Sequence, residues 1–517
     1  MTDRVLVIGV DAGSFGTLDR LIDGGDLPAI RDLVDGGRAD ALRSSVPPWT
    51  PSAWTSLTTG TNPGKHGVFD FKTTDQRRLV NSGDVAGNRI WDYLEADGKP
   101  SIVVNVPVTH PAPSGDGVLV PGYLGPEADE AVARPEGMLE ELRDNIGEYR
   151  IYRSGESDTD EEICEEYRRL LQMRADATVY LCSNFDWEFT MVQFQRTDTV
   201  FHELPEREYI DEVYRTLDEC VGRLRSELDP DTTLLVSDHG MKQLGDWDFR
   251  INSWLQQHGY LTTSPDGYHP GWTKPGGHTG DSSALERPLA AAANYGLTAQ
   301  RIERVLDRVG VRSTVGRLIP DRLLATVAEA GGEKIDRERS SAYCPSGPGL
   351  GIYCDDDVVD PIVSELEALE DPDGRAVFQW VRPAEEVLDG PQADAGPDVF
   401  ALPREMEYFV SGTLGTSVFE PSHHRFNHAV EGVCIASGEH VEQTDSRGVI
   451  DITDVAPAVL RMMGVPLDPQ FDGEAPEWLS AGIDHPGTQE YETETTGATA
   501  ESYAAVEERL DDLGYMS

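Results

Sequence analysis

An α/β fold, with a mostly parallel central sheet, helices on both faces and an inserted cap region, is what this sequence predicts. Three observations lead there. Short runs, mostly rich in Val, Ile and Leu, recur between helical stretches. The runs are continuously apolar rather than alternating, the mark of strands buried on both faces. Three of them lead into an aspartate, and in an open parallel sheet the carboxyl ends of the strands are where ligands bind.

The runs are Val5–Val10, Ile102–Val106, Phe189–Phe194, Thr233–Val236 and Gly432–Ala436. Amphipathic patterns over Glu161–Tyr180 and Glu208–Leu228 supply helices between them. No internal repeat is present. Residues 1–254 are expected to form the first part of a core and residues 396–486 its last part. Between them, 255–395 reads as an insertion. It holds a Gly-, Pro- and His-rich loop (269–281), a helical stretch (283–333) and, over about 340–400, a small α+β elaboration. Tyr343 and Tyr353 there read as packing residues, with substrate contact the alternative. Residues 487–517 read as an acidic tail, a linker followed by a short helix.

Composition narrows the function classes. The chain has 517 residues, 93 Asp+Glu against 43 Lys+Arg, and a formal charge of −50. Such a surface repels polyanions, which excludes tracking along extended DNA or RNA. No apolar run approaches the roughly 18 residues of a membrane helix, so no membrane partner is expected. Only 6 of the 43 basic residues are lysine, a balance that resembles proteins of salt-loving archaea. The six cysteines form no C-x-x-C pair and read as thiols in a reducing cytoplasm. The N-terminus, MTDRVLVIGVD, enters a strand within four residues and leaves no room for a signal peptide. Oligomeric state is left open.

The acids after the strands are Asp11, Asp198 and Asp238. An aspartate after a strand is ordinarily a cap or turn former. Histidines sharpen the pattern: His202 follows Asp198 by four residues, His239 follows Asp238 directly, and His423, His424 and His428 cluster late. Carboxylate oxygen with imidazole nitrogen is the donor set of Zn²⁺, or of Mn²⁺ where oxygen dominates. Residues 46–71, VPPWTPSAWTSLTTGTNPGKHGVFDF, are dense in Pro, Thr, Ser and Gly. Trp49, Trp54 and Phe69 are too apolar for a plain surface loop. A helix beginning near Ser52 would place Thr50 at its N-terminal end, where free N–H groups favour anions. A threonine hydroxyl there becomes a nucleophile if metal coordination lowers its pKa.

With these pieces in place the sequence resembles the alkaline phosphatase superfamily, in its nucleotide pyrophosphatase/type I phosphodiesterase branch. The matching pieces are Asp11 and Thr50 with "TTG" and "NPGKHG", then Asp198-x-x-x-His202 and "SDHG" at 237–240. They continue with His428 followed by "EGVCIASG", and with "TDVAPAVLRMMGVPLDPQFDG" at 453–473. They run in family order over residues 5–473. The resemblance implies an alkaline-phosphatase-like fold and metal-dependent hydrolysis of phosphate esters through a covalent Thr50 intermediate. It also implies two divalent ions, Zn²⁺ first and Mn²⁺ second, and small nucleotides or similar phosphoesters as substrates. Asp11, Thr50, Asp238 and His239 match one metal site; Asp198, His202 and His428 match the other. His428 is preferred on its distance from Gly432, with His424 the alternative.

One departure concerns substrate. Many family members carry an Asn five residues after the His of the HG motif; here that position is Phe71. Lys72, Arg196 or backbone N–H groups are then expected beside the phosphate. Other readings are a phosphomonoesterase, a sulfatase, a phosphomutase or a non-catalytic metal-binding protein. The sulfatase motif C/S-x-P-x-R is not met by Thr50-Pro51-Ser52-Ala53-Trp54. A phosphomutase usually uses a Ser nucleophile.

Overall fold

A computed structural model of the chain describes residues 3–73, 78–154, 159–264, 334–345, 349–479 and 486–492. The expectations for the 269–281 loop, the 283–333 helices and most of the acidic tail lie outside these residues.

Five apolar runs become strands of one eight-stranded sheet. Its order in space is Val449–Asp451, Gly37–Arg43, Glu431–Gly438, Thr232–Val236, Val5–Val10, Phe189–Phe194, Ser101–Val104, Val118–Val120. Neighbours are parallel except at Glu431–Gly438, which runs antiparallel to both Gly37–Arg43 and Thr232–Val236. The sheet is therefore parallel with one reversed strand.

The first strand shows why continuous apolarity was needed. Leu6, Ile8 and Val10 enter one core cluster, with the helices Phe15–Gly24, Asp160–Asn184 and Arg207–Leu228. Val5 and Val7 enter another, with Thr50–Thr59, Ile90–Ala96 and Val455–Met462. Alternate side chains point to opposite faces, so covering both faces demands an apolar residue at every position. The Asp160–Asn184 helix begins in a capping box between Thr159 and Glu162.

A third cluster lies over the carboxyl ends of the strands. It includes a four-stranded antiparallel sheet of Ala342–Tyr343, Gly351–Cys354, Val399–Pro403 and Phe378–Pro383, covered by the Val359–Glu367 helix. This sheet extends past residue 395, where the insertion was expected to end, because Val399–Pro403 pairs with both Gly351–Cys354 and Phe378–Pro383. Tyr343 and Tyr353 face each other across it with rings 5.8 Å apart. The six cysteines are thiols rather than disulfides. Among the described residues no helix is long and apolar enough to cross a membrane.

Candidate active site

Seven side chains from five stretches of the chain meet above the central strands. Asp11 follows Val5–Val10 directly. Asp198 and His202 sit one turn apart on the Arg196–Glu203 helix, which begins two residues after Phe194. Asp238 and His239 follow Thr232–Val236. His428 lies on Phe426–Ala429, which pairs antiparallel with Gly240–Gln243 in a ribbon matching Ala429 to Gly240. Thr50 opens the Thr50–Thr59 helix, two residues earlier than the expected start near Ser52. That helix ends where Gly60 takes a φ of 65°, a left-handed conformation that glycine adopts without strain. Its cap position, Trp49, gives no side-chain acceptor, so its first-turn N–H groups have none from the cap.

The distances tie the set together. His239 Nε2 lies 3.4 Å from Thr50 Oγ1, 3.4 Å from Asp11 Oδ1 and 3.2 Å from Asp238 Oδ2. Asp198 Oδ1 lies 3.3 Å from His202 Nε2 and 3.4 Å from His428 Nε2. Asp11, Asp198 and His239 have ligand atoms within 4.8 Å of one another, as do Asp198, His202 and His428, so Asp198 joins the two groups. All are buried except His202, which is partly exposed.

Hydrogen bonds fix the imidazole tautomers. His239 Nδ1 lies 3.0 Å from the Gly240 carbonyl, and His428 Nδ1 lies 3.0 Å from the Pro48 carbonyl. A carbonyl only accepts, so each Nδ1 carries the proton and each Nε2 presents a lone pair. Those lone pairs face carboxylate oxygens, which are acceptors too. Asp11 Oδ1 and Asp238 Oδ2 are buried with no hydrogen-bond donor. Acceptors converging on acceptors need a proton or a cation between them, and this donor set suits a divalent cation.

Electrostatics agree. Burial, and next the carboxylate of Asp198, push Asp11 well above the usual carboxylate range. Burial, Asp11 and Asp198 do the same to Asp238. Burial alone would raise Asp198 as well, but the imidazoles of His202 and His428 hold it below its ordinary value. Burial lowers His239 and His428 to about 4, so both are neutral near pH 7.

The other expected residues have the following surroundings. His424 stacks on Phe409, ring centroids 4.0 Å apart, and belongs to neither group of ligand atoms. Phe71 is 2% exposed and packs in the cluster that contains Trp49. Lys72 forms a backbone bridge to Leu79. Arg196 donates to the Ile151 carbonyl and the Thr199 hydroxyl and lies over the rings of Tyr152 and Tyr167, a packing arrangement.

The roles of two residues escaped the sequence reading. Trp54 Nε1 and Gln193 Nε2 donate to Asp11 Oδ2 at 3.0 and 2.6 Å, orienting that carboxylate. The Trp54 ring can lie against the first strand only because residue 9 is glycine; a Cβ there would sit 2.5 Å from it. Gln193 was signalled by its place in FTMVQF, a buried amide in an apolar strand, which needs a partner.

The family described as type I phosphodiesterase / nucleotide pyrophosphatase matches residues 5–314. Among solved structures, a phosphonoacetate hydrolase from Sinorhizobium meliloti 1021, in complex with phosphonoformate, superposes with a TM-score of 0.51 at 14% identity. That match covers 88% of this chain and 94% of the hydrolase. Human ectonucleotide pyrophosphatase / phosphodiesterase 5 gives 0.49 at 12% identity, covering 91% of this chain and 97% of the other. A search of curated proteins finds no match.

Proposed function

The chain belongs to the type I phosphodiesterase / nucleotide pyrophosphatase family, a family of phosphoric ester hydrolases, and from that membership we propose that it cleaves small phosphodiesters, nucleotides among them, with Thr50 as nucleophile. The observation that carries the reading is the position of Thr50 Oγ1, 3.4 Å from His239 Nε2, beside carboxylate oxygens that have no donor.

Asp11, Asp238, His239 and Thr50 would hold one divalent ion, and Asp198, His202 and His428 a second. Zn²⁺ suits the imidazoles best and Mn²⁺ next. When bound, such ions neutralise phosphoryl charge and lower the pKa of a coordinated hydroxyl. Thr50 Oγ1 loses its proton and attacks phosphorus in line, the bond from phosphorus to the leaving oxygen breaks and that oxygen departs as an alcohol with a proton, and the remaining esterified phosphate stays on Thr50. Water then attacks the same phosphorus and frees the hydroxyl. The N-terminus of the Thr50–Thr59 helix contributes partial positive charge to the phosphoryl oxygens. Trp54 and Gln193 hold Asp11 in place throughout.

The charge of −50 supports work in strong salt, and the thiols support a reducing compartment such as the cytoplasm. The test compares p-nitrophenyl phosphate, its phosphodiester and its sulfate, with added Zn²⁺ or Mn²⁺, for the wild type and Thr50→Ala. The diester is expected to turn over fastest, and Thr50→Ala to lose turnover while keeping its metal. Full activity in that variant removes Thr50 from the role; preference for the sulfate removes the substrate class.

A further inference from the structure

Between the carboxyl end of Phe189–Phe194 and the Asp160–Asn184 helix lies a cavity of about 10 Å³, the scale of a single small guest. Its polar lining comes from Asn105, Tyr123, Arg174, Gln195 and Arg196, and no carboxylate lines it. Both arginines are deeply buried, 3% and 6% exposed. Arg174 donates to the carbonyls of Arg150 and Ile151, and Arg196 to Ile151 and the Thr199 hydroxyl. Among the described residues neither forms an ion pair, in a chain carrying 93 acidic side chains. The acid nearest in effect to Arg174, Glu127, accepts from the backbone N–H groups of Ala128 and Ile151. Two buried like charges beside one cavity call for a counter-charge.

The remaining lining points the same way. The Tyr123 hydroxyl and the Gln195 Nε2 group are buried and have no hydrogen-bond partner. Gln195 Oε1 accepts from Thr199, so the amide nitrogen is the end left over. Asn105 Oδ1 is a lone acceptor, its Nδ2 already donating to Gln193. Water would serve these three groups but would bring no negative charge to the two guanidinium groups. We propose that the cavity lined by Arg174, Arg196, Tyr123 and Gln195 is a binding site for one small monovalent anion of chloride size. Its occupant reaches the candidate active site from two sides. Asn105 Nδ2 donates to Gln193 Oε1 at 2.9 Å, and Gln193 Nε2 donates to Asp11. Gln195 and Arg196 begin the helix that carries Asp198 and His202.

Crystals of the full chain soaked in bromide test this directly. An anomalous peak is expected within hydrogen-bonding distance of Gln195 Nε2 and a guanidinium nitrogen. In solution, replacing gluconate by chloride or bromide at constant ionic strength is expected to raise the Tm of the wild type. Gln195→Leu and Tyr123→Phe should each weaken that halide effect several-fold. A cavity holding water and no bromide overturns the proposal, as does an undiminished halide effect in both variants. Should either variant fail to fold, the wild-type anomalous map still decides.

Discussion

His239 and His428 lie ring on ring, their centroids 3.7 Å apart and their planes at 15°. They come from distant parts of the chain, and the pairing of Phe426–Ala429 with Gly240–Gln243 sets them side by side. Each gives its Nδ1 proton to a backbone carbonyl, so both Nε2 lone pairs turn toward carboxylates. The stack sets side by side the two ligand groups that Asp198 joins.

It separates two histidines that sequence could not. His428→Ala is expected to lose at least one bound cation per chain by elemental analysis, and most activity. His424→Ala, which loses a stack on Phe409, should keep the wild-type metal content. Equal metal loss in the two variants would contradict the assignment.

Gln193 and Trp54 bear on Asp11 through hydrogen bonds alone. Gln193→Leu and Trp54→Phe each leave Asp11 Oδ2 with one donor fewer. Loss of such an orienting partner typically weakens metal affinity about 10- to 100-fold. Titration against a competing chelator measures it; unchanged affinity in both variants would show that Asp11 needs no outer support.

Removing the metal should make stability depend on pH in a set direction. Asp11 and Asp238 have folded pKa values raised above the ordinary 3.8, chiefly by burial. Their stabilising contribution belongs to low pH and is lost as pH rises through the raised values. Cations replace those protons, while Asp198, held low, stays ionised. The Tm gap between loaded and chelator-treated protein should therefore widen from pH 4 to pH 8. A gap that stays flat or narrows would fault the cluster.

His66 gives the opposite dependence in the loaded protein. Its Nδ1 accepts from Val68 N–H and its Nε2 donates to Ser56 Oγ, which ties the NPGKHG segment to the Thr50–Thr59 helix. Burial, then Arg89, lower it from 6.5 to about 3. The neutral form is the native one, so stability falls as pH drops from the unfolded value toward the folded one. Between pH 7 and pH 5 this loss is about 2 kcal/mol. In urea unfolding His66→Asn should show a pH-dependent loss smaller by about that amount; an identical loss would mean His66 is protonated in the fold.

Salt should stabilise the whole. A formal charge of −50 repels itself at low ionic strength, and screening shortens that repulsion to about 3 Å at 1 M. Tm is expected to rise by several degrees from 0.1 to 2 M KCl. A flat or falling Tm would mean that carboxylate repulsion does not limit the fold.

Much of the sheet was legible because burial on both faces leaves a continuous apolar record. Val5–Val10 and Phe189–Phe194 fall where expected to the residue. Gly37–Arg43 was not legible, since GRADALR carries three charges. Arg38 pairs with Asp40 through two hydrogen bonds, of 2.7 and 3.0 Å, and Asp40 also accepts from Gly448 N–H, which makes a buried acid tolerable. Val118–Val120 and Val449–Asp451 were missed because three-residue edge strands are too short to show a period. The four-stranded cap sheet was legible only as a small α+β elaboration, because its central pairing joins Gly351 to Phe400 across the Val359–Glu367 helix and the Phe378–Pro383 strand.

Ligand chemistry, the order of the motifs and the strand-end positions of Asp11, Asp198 and Asp238 were fixed by the amino-acid sequence alone, because they depend on residue type and local backbone. Which histidine completes the set, which donors orient Asp11, and that two buried arginines share one cavity were decided only by tertiary structure. Each is a distance between side chains that no local pattern encodes. Strand register and helix packing set it, one pairing at a time.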